Sequence, residues 1–383
     1  MFKSYNPYKL EDKMKSLHHF FSENMESFLG YPCNGKFDYR SLYPFLDYPL
    51  NNVGDPFVSS NFALNTHNIE REVIEIFQDL TKADKSETWG YCTNGGTEGN
   101  MYGLFLAREI HPNAIVYYSD ETHYSVNKII KCLNIKSTRV KALPKGEMDL
   151  NHLNQLLYDN QNKPAIIVCN VGTTMKGAID DLKGIRNALK KNNIKRSYIH
   201  ADAALSGMIL PFVKDPQSWS FADGIDSISI SGHKMIGSPI PCGIVLAKSE
   251  NIDHISQEVE YVGSKDTTIP GSRNAISPVF LWYQLKKLGF IGFQRMIKKC
   301  FDVADFSIKM FKAYGIEAWR HNNSVTVVFK RPSDYLIKKW QLAVNGETAH
   351  IITMPHVTKR KIVSFVKEIA EDKKRALKQV SSL

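Results

Sequence analysis

The sequence predicts an α/β protein: a large domain built on a mostly parallel sheet, with an N-terminal segment before it and a small α+β domain after it. Two observations predict this. Between about residues 67 and 247, short apolar runs alternate with helical stretches, and parallel strands need such crossovers because a tight turn cannot join them. One run, Pro164-Ala165-Ile166-Ile167-Val168-Cys169-Asn170, is apolar almost throughout, as in a strand covered on both faces. With 383 residues, 43% of them hydrophobic, the chain can bury a sizeable core and carry a smaller companion domain.

Taken in order, residues 10–30 read as a helix from their spacing of polar and apolar positions. Residues 31–62, rich in Tyr, Pro, Asn and Gly, read as irregular chain laid over something larger. Ile69–Phe77 is amphipathic at helical period. Strands are then expected at 114–119, 138–143, 164–170, 198–202, 227–230 and 243–247, with helices near 124–134, 149–160 and 181–192. After about residue 270 the texture changes to a long helical tract at 278–314, strands at 324–329 and 350–353, a helix near 334–343 and a final helix at 357–378. The expected division is 1–62, 63–270 and 271–383. No repeat or low-complexity linker separates these parts, so the two domains should pack together.

The net charge is +10, from 49 basic and 39 acidic residues. A nucleic-acid-binding protein would gather that excess on one face. Here it is scattered, and the densest group, Glu371-Asp372-Lys373-Lys374-Arg375, is mixed with acids and reads as a solvated helix face. Cys33, Cys92, Cys132, Cys169, Cys242 and Cys300 form no CxxC pair, which fits neither a zinc site nor a disulfide framework and points to a reducing cytoplasm. The stretch Met1–Pro7 lacks the apolar core of a signal peptide, and no apolar run approaches the ~20 residues of a membrane helix. A cytoplasmic protein, bound to neither membrane nor nucleic acid, is expected.

Five motifs carry chemistry. Thr93-Asn94-Gly95-Gly96-Thr97-Glu98-Gly99-Asn100 opens a helix. Its glycines allow close backbone approach, and a helix start binds phosphate through free N–H groups. Asp120-Glu121-Thr122-His123-Tyr124-Ser125 follows a strand and offers His123 to stack on a flat cofactor. Asn170-Val171-Gly172-Thr173-Thr174 ends the most apolar strand and offers the Thr174 hydroxyl. His200-Ala201-Asp202-Ala203-Ala204 also ends a strand, and its acid among small residues could face a protonated ring nitrogen. Ser229-Ile230-Ser231-Gly232-His233-Lys234 places a lysine after a strand, where burial would make a neutral amine able to attack an aldehyde. Each alone is also what a turn, a cap or a surface lysine looks like. Their joint occurrence in one α/β domain is hard to reach by chance.

These residues resemble the group II pyridoxal-5'-phosphate (PLP) decarboxylases of fold type I, and more closely the bacterial PLP-type histidine decarboxylases. The resemblance runs from Asn51-Asn52-Val53-Gly54-Asp55 and Trp89-Gly90-Tyr91 through residues 93–100, 122–125, 172–174 and 177–181. It is densest in HADAALSGMILPF at 200–212 and SGHKMIGSPIPCGIV at 231–245, and continues through 271–274 and 323–329.

The resemblance implies that Lys234 binds the cofactor as a Schiff base, that Asp202 holds the pyridine nitrogen and that His123 stacks on the ring, with Ala204 on the other face. It implies a phosphate loop at Gly96 and Thr97, a pair before the lysine at Ser231 and His233, and a substrate-side hydroxyl at Ser324. His233, Lys234 and the loop 254–268 remain candidates for reprotonating Cα, and Tyr261–Asp266 matches the family less closely. The expected reaction is decarboxylation of a small-molecule L-amino acid, histidine before serine, in a homodimer or homotetramer. An aminotransferase or desulfurase on the same fold and a basic nucleic-acid-binding protein are the alternatives.

Overall fold

The computed structural model describes residues 7–260 and 263–381. The start of the N-terminal stretch, Met1–Asn6, and Tyr261 and Val262 of the loop singled out above lie outside the described residues.

In chain order the elements are α1 (Pro7–Glu26), β1 (Asn51–Val53), α2 (His67–Leu80), β2 (Thr88–Thr93), α3 (Gly96–Ile110), β3 (Ile115–Ser119), α4 (Tyr124–Cys132) and β4 (Lys136–Val140). Then come α5 (Leu150–Tyr158), β5 (Ala165–Asn170), α6 (Leu182–Lys191), β6 (Ser197–Asp202), β7 (Ser227–Ser231), β8 (Gly243–Lys248), β9 (Gln257–Val259), β10 (Ser264–Asp266) and β11 (Ser272–Asn274). The last are α7 (Ile276–Ala313), β12 (Ala318–Trp319), β13 (Thr326–Lys330), α8 (Asp334–Lys339), β14 (Ala343–Asn345), β15 (Thr348–Ile352) and α9 (Lys359–Ser381).

Seven strands form the main sheet in the order β2-β8-β7-β6-β5-β3-β4. It is mostly parallel, as expected. Only β8 runs against its neighbours, pairing antiparallel with both β7 and β2. Helices cover both faces, so strand residues are buried whichever way they point. On β5, Ile167 and Cys169 join one apolar cluster and Ile166 and Val168 the other. All four are fully buried, and a buried Ile or Val side chain contributes about 1.5–3 kcal/mol. The helix starts explain the boundaries: Asp149 and Asp181 cap α5 and α6 by accepting from the first free N–H groups.

A four-stranded antiparallel sheet, β12-β13-β15-β14, follows. Phe311 of α7 and Phe365 of α9 pack on its Phe329. The helical tract expected at 278–314 is two helices that meet at a kink at Gly289, where φ is 57°.

Some boundaries differ from the reading above. The 334–343 helix stops at Lys339 and its end becomes β14, because Gln341 turns at positive φ. The strand expected at 138–143 is Lys136–Val140. β2 is a strand not expected above, although Thr88, Trp89, Tyr91 and Thr93 favour strands. Its Gly90 sits where a Cβ would lie 2.3 Å from the Val245 carbonyl oxygen, so close packing, not β propensity, selects the residue.

The chain from 27 to 66 is bonded directly to the sheet domain. Asn34 donates its backbone N–H to the Lys234 carbonyl at 3.1 Å and its side-chain amide to the Met235 carbonyl at 3.1 Å. Glu70 is fully buried and pairs with buried Arg273. It also accepts from Asn52 and from the Cys92 N–H.

Candidate active site

β3 to β7 run parallel, and β2 shares their direction because both it and β7 oppose β8. Their C-terminal ends therefore meet along one edge, where ligands gather in open α/β sheets. A cavity of about 220 Å³ opens there. It is lined by Gly96 and Thr97 after β2, His123 after β3, Thr174 after β5, Asp202 at the end of β6 with Ala204 just beyond, and Ser231 at the end of β7 with His233 and Lys234 just beyond. Residues separated by more than a hundred positions thus share one space.

Each side chain is held by its element. Gly95 precedes α3 at φ 144°, a conformation that L side chains rarely adopt. It aims the helix start at the cavity, and the first N–H groups of a helix have no intrahelical acceptor. A Cβ on Gly96 would stand 2.7 Å from the Ser231 Oγ, so the glycine keeps the loop close to the strand. His123 caps α4, and its Nδ1 lies 2.7 Å from the Ser125 Oγ, which fixes the ring. Burial pushes His123 below its usual value; Asp202 opposes this and Lys234 adds to it. Asp202 is buried, and its carboxylate accepts from Asn100 Nδ2 at 2.7 Å and from the Ala204 N–H at 3.2 Å.

Lys234 is held below the usual lysine range by burial, with Asp202 acting in the opposite direction. That favours the neutral amine. His233 is tied by Nδ1 to the Cys242 carbonyl at 2.9 Å, and burial lowers its pKa too.

Ser324 is placed differently. It is buried, and its Oγ accepts from the Thr326 N–H at 3.1 Å. It is not part of the cavity lining, whereas Thr326, two residues further along, is. None of the described residues of the loop 254–268 lines the cavity.

Several lining residues escaped the sequence reading. Asn100 lies one helical turn after Thr97, and Ser125 two residues after His123; both could have been found by following the motif along its helix. Tyr31 and Pro32 reach the cavity from the N-terminal segment, and His350 from β15. Nothing local marks them.

The donor set fits a phosphorylated pyridine aldehyde: a helix start and hydroxyls for phosphate, an acid for a ring nitrogen, an imidazole for a ring face and an amine for the aldehyde. With the sheet topology, this defines a pyridoxal phosphate enzyme of fold type I. The chain belongs to the pyridoxal-dependent decarboxylases, whose conserved domain matches residues 64–331. It is 50% identical to the histidine decarboxylase of Vibrio anguillarum over 88% of this chain and 87% of that one. It is also 50% identical to that of Morganella morganii, over 86% and 87%. Among solved structures, the L-methionine decarboxylase of Streptomyces sp. 590 superposes with a TM-score of 0.87 at 25% identity, covering 96% of each chain. The protein is therefore a carboxy-lyase that uses pyridoxal phosphate and acts on an amino acid.

Proposed function

We propose that this protein converts L-histidine to histamine and CO2. The observation that carries the reading is the cavity shared by Lys234, Asp202 and His123 in a chain half identical to histidine decarboxylases. Pyridoxal phosphate, when bound, supplies an aldehyde for the amine and a ring that withdraws the electron pair left as CO2 departs.

The chain's own groups do the rest. Gly96, Thr97, Ser231 and His233 would hold the phosphate, and Thr174 would add a hydroxyl to the cofactor site. Asp202 would accept from the N–H of the ring nitrogen. His123, fixed by Ser125, would cover one face of the ring and Ala204 the other. Lys234, whose amine burial favours in the neutral form, would hold the cofactor's aldehyde. His233 and Lys234 both stand in the cavity as proton carriers for Cα. Thr326 of β13 lines the cavity and would stand on the substrate side, with Ser324 next to it against Gly177.

The enzyme works as a homodimer. Leu10, Met14, Leu17 and Phe21 recur at helical spacing on α1 and are 43–58% exposed, a continuous apolar stripe of the kind that marks an interface. A second copy would cover it, because the described residues of α1 leave that face to solvent. All six cysteines are free, which supports a reducing cytoplasm. No helix among the described residues is long and apolar enough to cross a membrane.

Purified protein with added pyridoxal phosphate, offered a panel of L-amino acids and read out as amine and CO2, tests the substrate. Histamine from histidine at the highest kcat/KM is expected. Ethanolamine from serine as the main product would overturn the choice. Sedimentation of a Leu17→Glu, Phe21→Glu double variant should show a monomer; an unchanged dimer would refute that interface.

A further inference from the structure

Behind Asp202 lies a chain of buried polar groups that the reaction as described does not use. Asn100 donates from Nδ2 to the Asp202 carboxylate at 2.7 Å. The Nε2 of His200 lies 3.0 Å from Asn100 Oδ1, and the Nδ1 of His200 lies 2.7 Å from Ser227 Oγ. Asn100 is 2% exposed, and His200 and Ser227 are 0% exposed.

The direction of every hydrogen bond follows from chemistry. An ionised carboxylate only accepts, so the amide must present its NH2 to Asp202 and its oxygen to His200. That oxygen also only accepts, so Nε2 carries the hydrogen. A neutral imidazole has one N–H, which leaves Nδ1 as acceptor and Ser227 as donor. Burial holds His200 near 4, well below its usual range, so the neutral form is present at physiological pH. All three donors therefore point towards Asp202.

The helix is shaped around this chain. A Cβ on Gly103 would lie 2.1 Å from His200 Nδ1, and one on Gly99 would lie 2.3 Å from Ser229 Oγ. With Gly96 they form one face of α3 that rides close on β6 and β7. The helix that begins at the phosphate loop thus reaches, one turn on, the acid behind the ring.

We propose that Asn100, His200 and Ser227 are positioning residues, a one-way hydrogen-bond chain that holds the Asp202 carboxylate aimed at the cofactor's ring nitrogen. It stabilises the anion with dipoles alone. A cation in the same place would cancel the charge the ring nitrogen needs. Aligned hydrogen bonds in a low-dielectric interior also polarise one another. The other titratable groups around Asp202 are His123 and Lys234 on the cavity side. The proposal rests on the assignment of Asp202 to the ring nitrogen.

Three holoenzyme variants test it: His200→Leu, which breaks the chain; His200→Gln, whose amide restores the donor to Asn100; and Asp202→Asn. Measurements are kcat and KM, the dissociation constant for pyridoxal phosphate, and the pH dependence of the bound cofactor's absorbance. His200→Leu should lower kcat at least tenfold with KM within twofold, weaken cofactor binding severalfold and displace the absorbance titration. His200→Gln should recover kcat to within about threefold of wild type. If His200→Leu keeps the wild-type kcat and absorbance titration while Asp202→Asn loses activity, the chain is only structural and the proposal fails. If Asp202→Asn itself behaves as wild type, the assignment of Asp202 fails, and the proposal with it.

Discussion

His200 makes the protein's stability depend on pH in a calculable way. In the folded chain its imidazole is fully buried, and desolvation holds it near 4, against 6.5 for an exposed histidine. Above pH 6.5 neither the folded nor the unfolded state takes up this proton, so His200 contributes no slope. Between 6.5 and 4 the unfolded chain binds a proton that the native site refuses. Stability therefore falls as pH falls, by up to about 1.4 kcal/mol per pH unit and roughly 3 kcal/mol across the window. Burial also lowers His67, His350 and His356, so the wild-type curve contains their contributions with the same sign. The His200→Gln variant isolates one of them. Urea unfolding of cofactor-free protein at fixed subunit concentration, repeated at half-unit steps from pH 7.5 to 4.5, gives both curves. The variant should lose less stability on acidification, the gap between the two curves changing by roughly 2–3 kcal/mol over that range. Parallel curves would show that His200 takes up its proton alike in the native and unfolded states, and the lowering assigned to burial would be wrong.

Three further outcomes are expected. Glu70→Ala leaves the Arg273 guanidinium buried without its carboxylate, which should cost about 3–5 kcal/mol by urea denaturation; a loss under 1 kcal/mol would mean that water reaches the site. Gly96→Ala places a Cβ 2.7 Å from Ser231 Oγ and should raise the pyridoxal phosphate dissociation constant at least tenfold in a fluorescence titration, an unchanged value arguing against phosphate at this loop. Lys234→Ala should abolish turnover and release the cofactor on gel filtration; a variant that keeps both would remove the basis of the catalytic assignment.

What the sequence alone determined is local. The apolar continuity of 164–170 dictates a strand covered on both faces, and the Gly-rich start of α3 dictates a backbone free to approach an anion. The residues after each strand were legible because they sit at chain positions where an α/β sheet always turns. Asp202 and Lys234 could be named before their spatial relation was known, since a strand end followed by a small-residue loop is a recurring setting for a ligand.

Tertiary structure decided the rest. β2 takes its place in the sheet by pairing with β8, and that pairing leaves no space for a Cβ at Gly90. Ser324 and Thr326, two residues apart, both face Gly177, and only the packing of the small sheet against the cavity brings Thr326 into its lining. Tyr31 and His350 arrive at the cavity from the two ends of the chain, and no local pattern encodes a contact made across more than three hundred residues. Asn100, His200 and Ser227 are each ordinary polar residues in their own segments. Only the close packing of α3 on β6 and β7 lines up their donors and acceptors, and burial makes that alignment count, because water no longer competes for them.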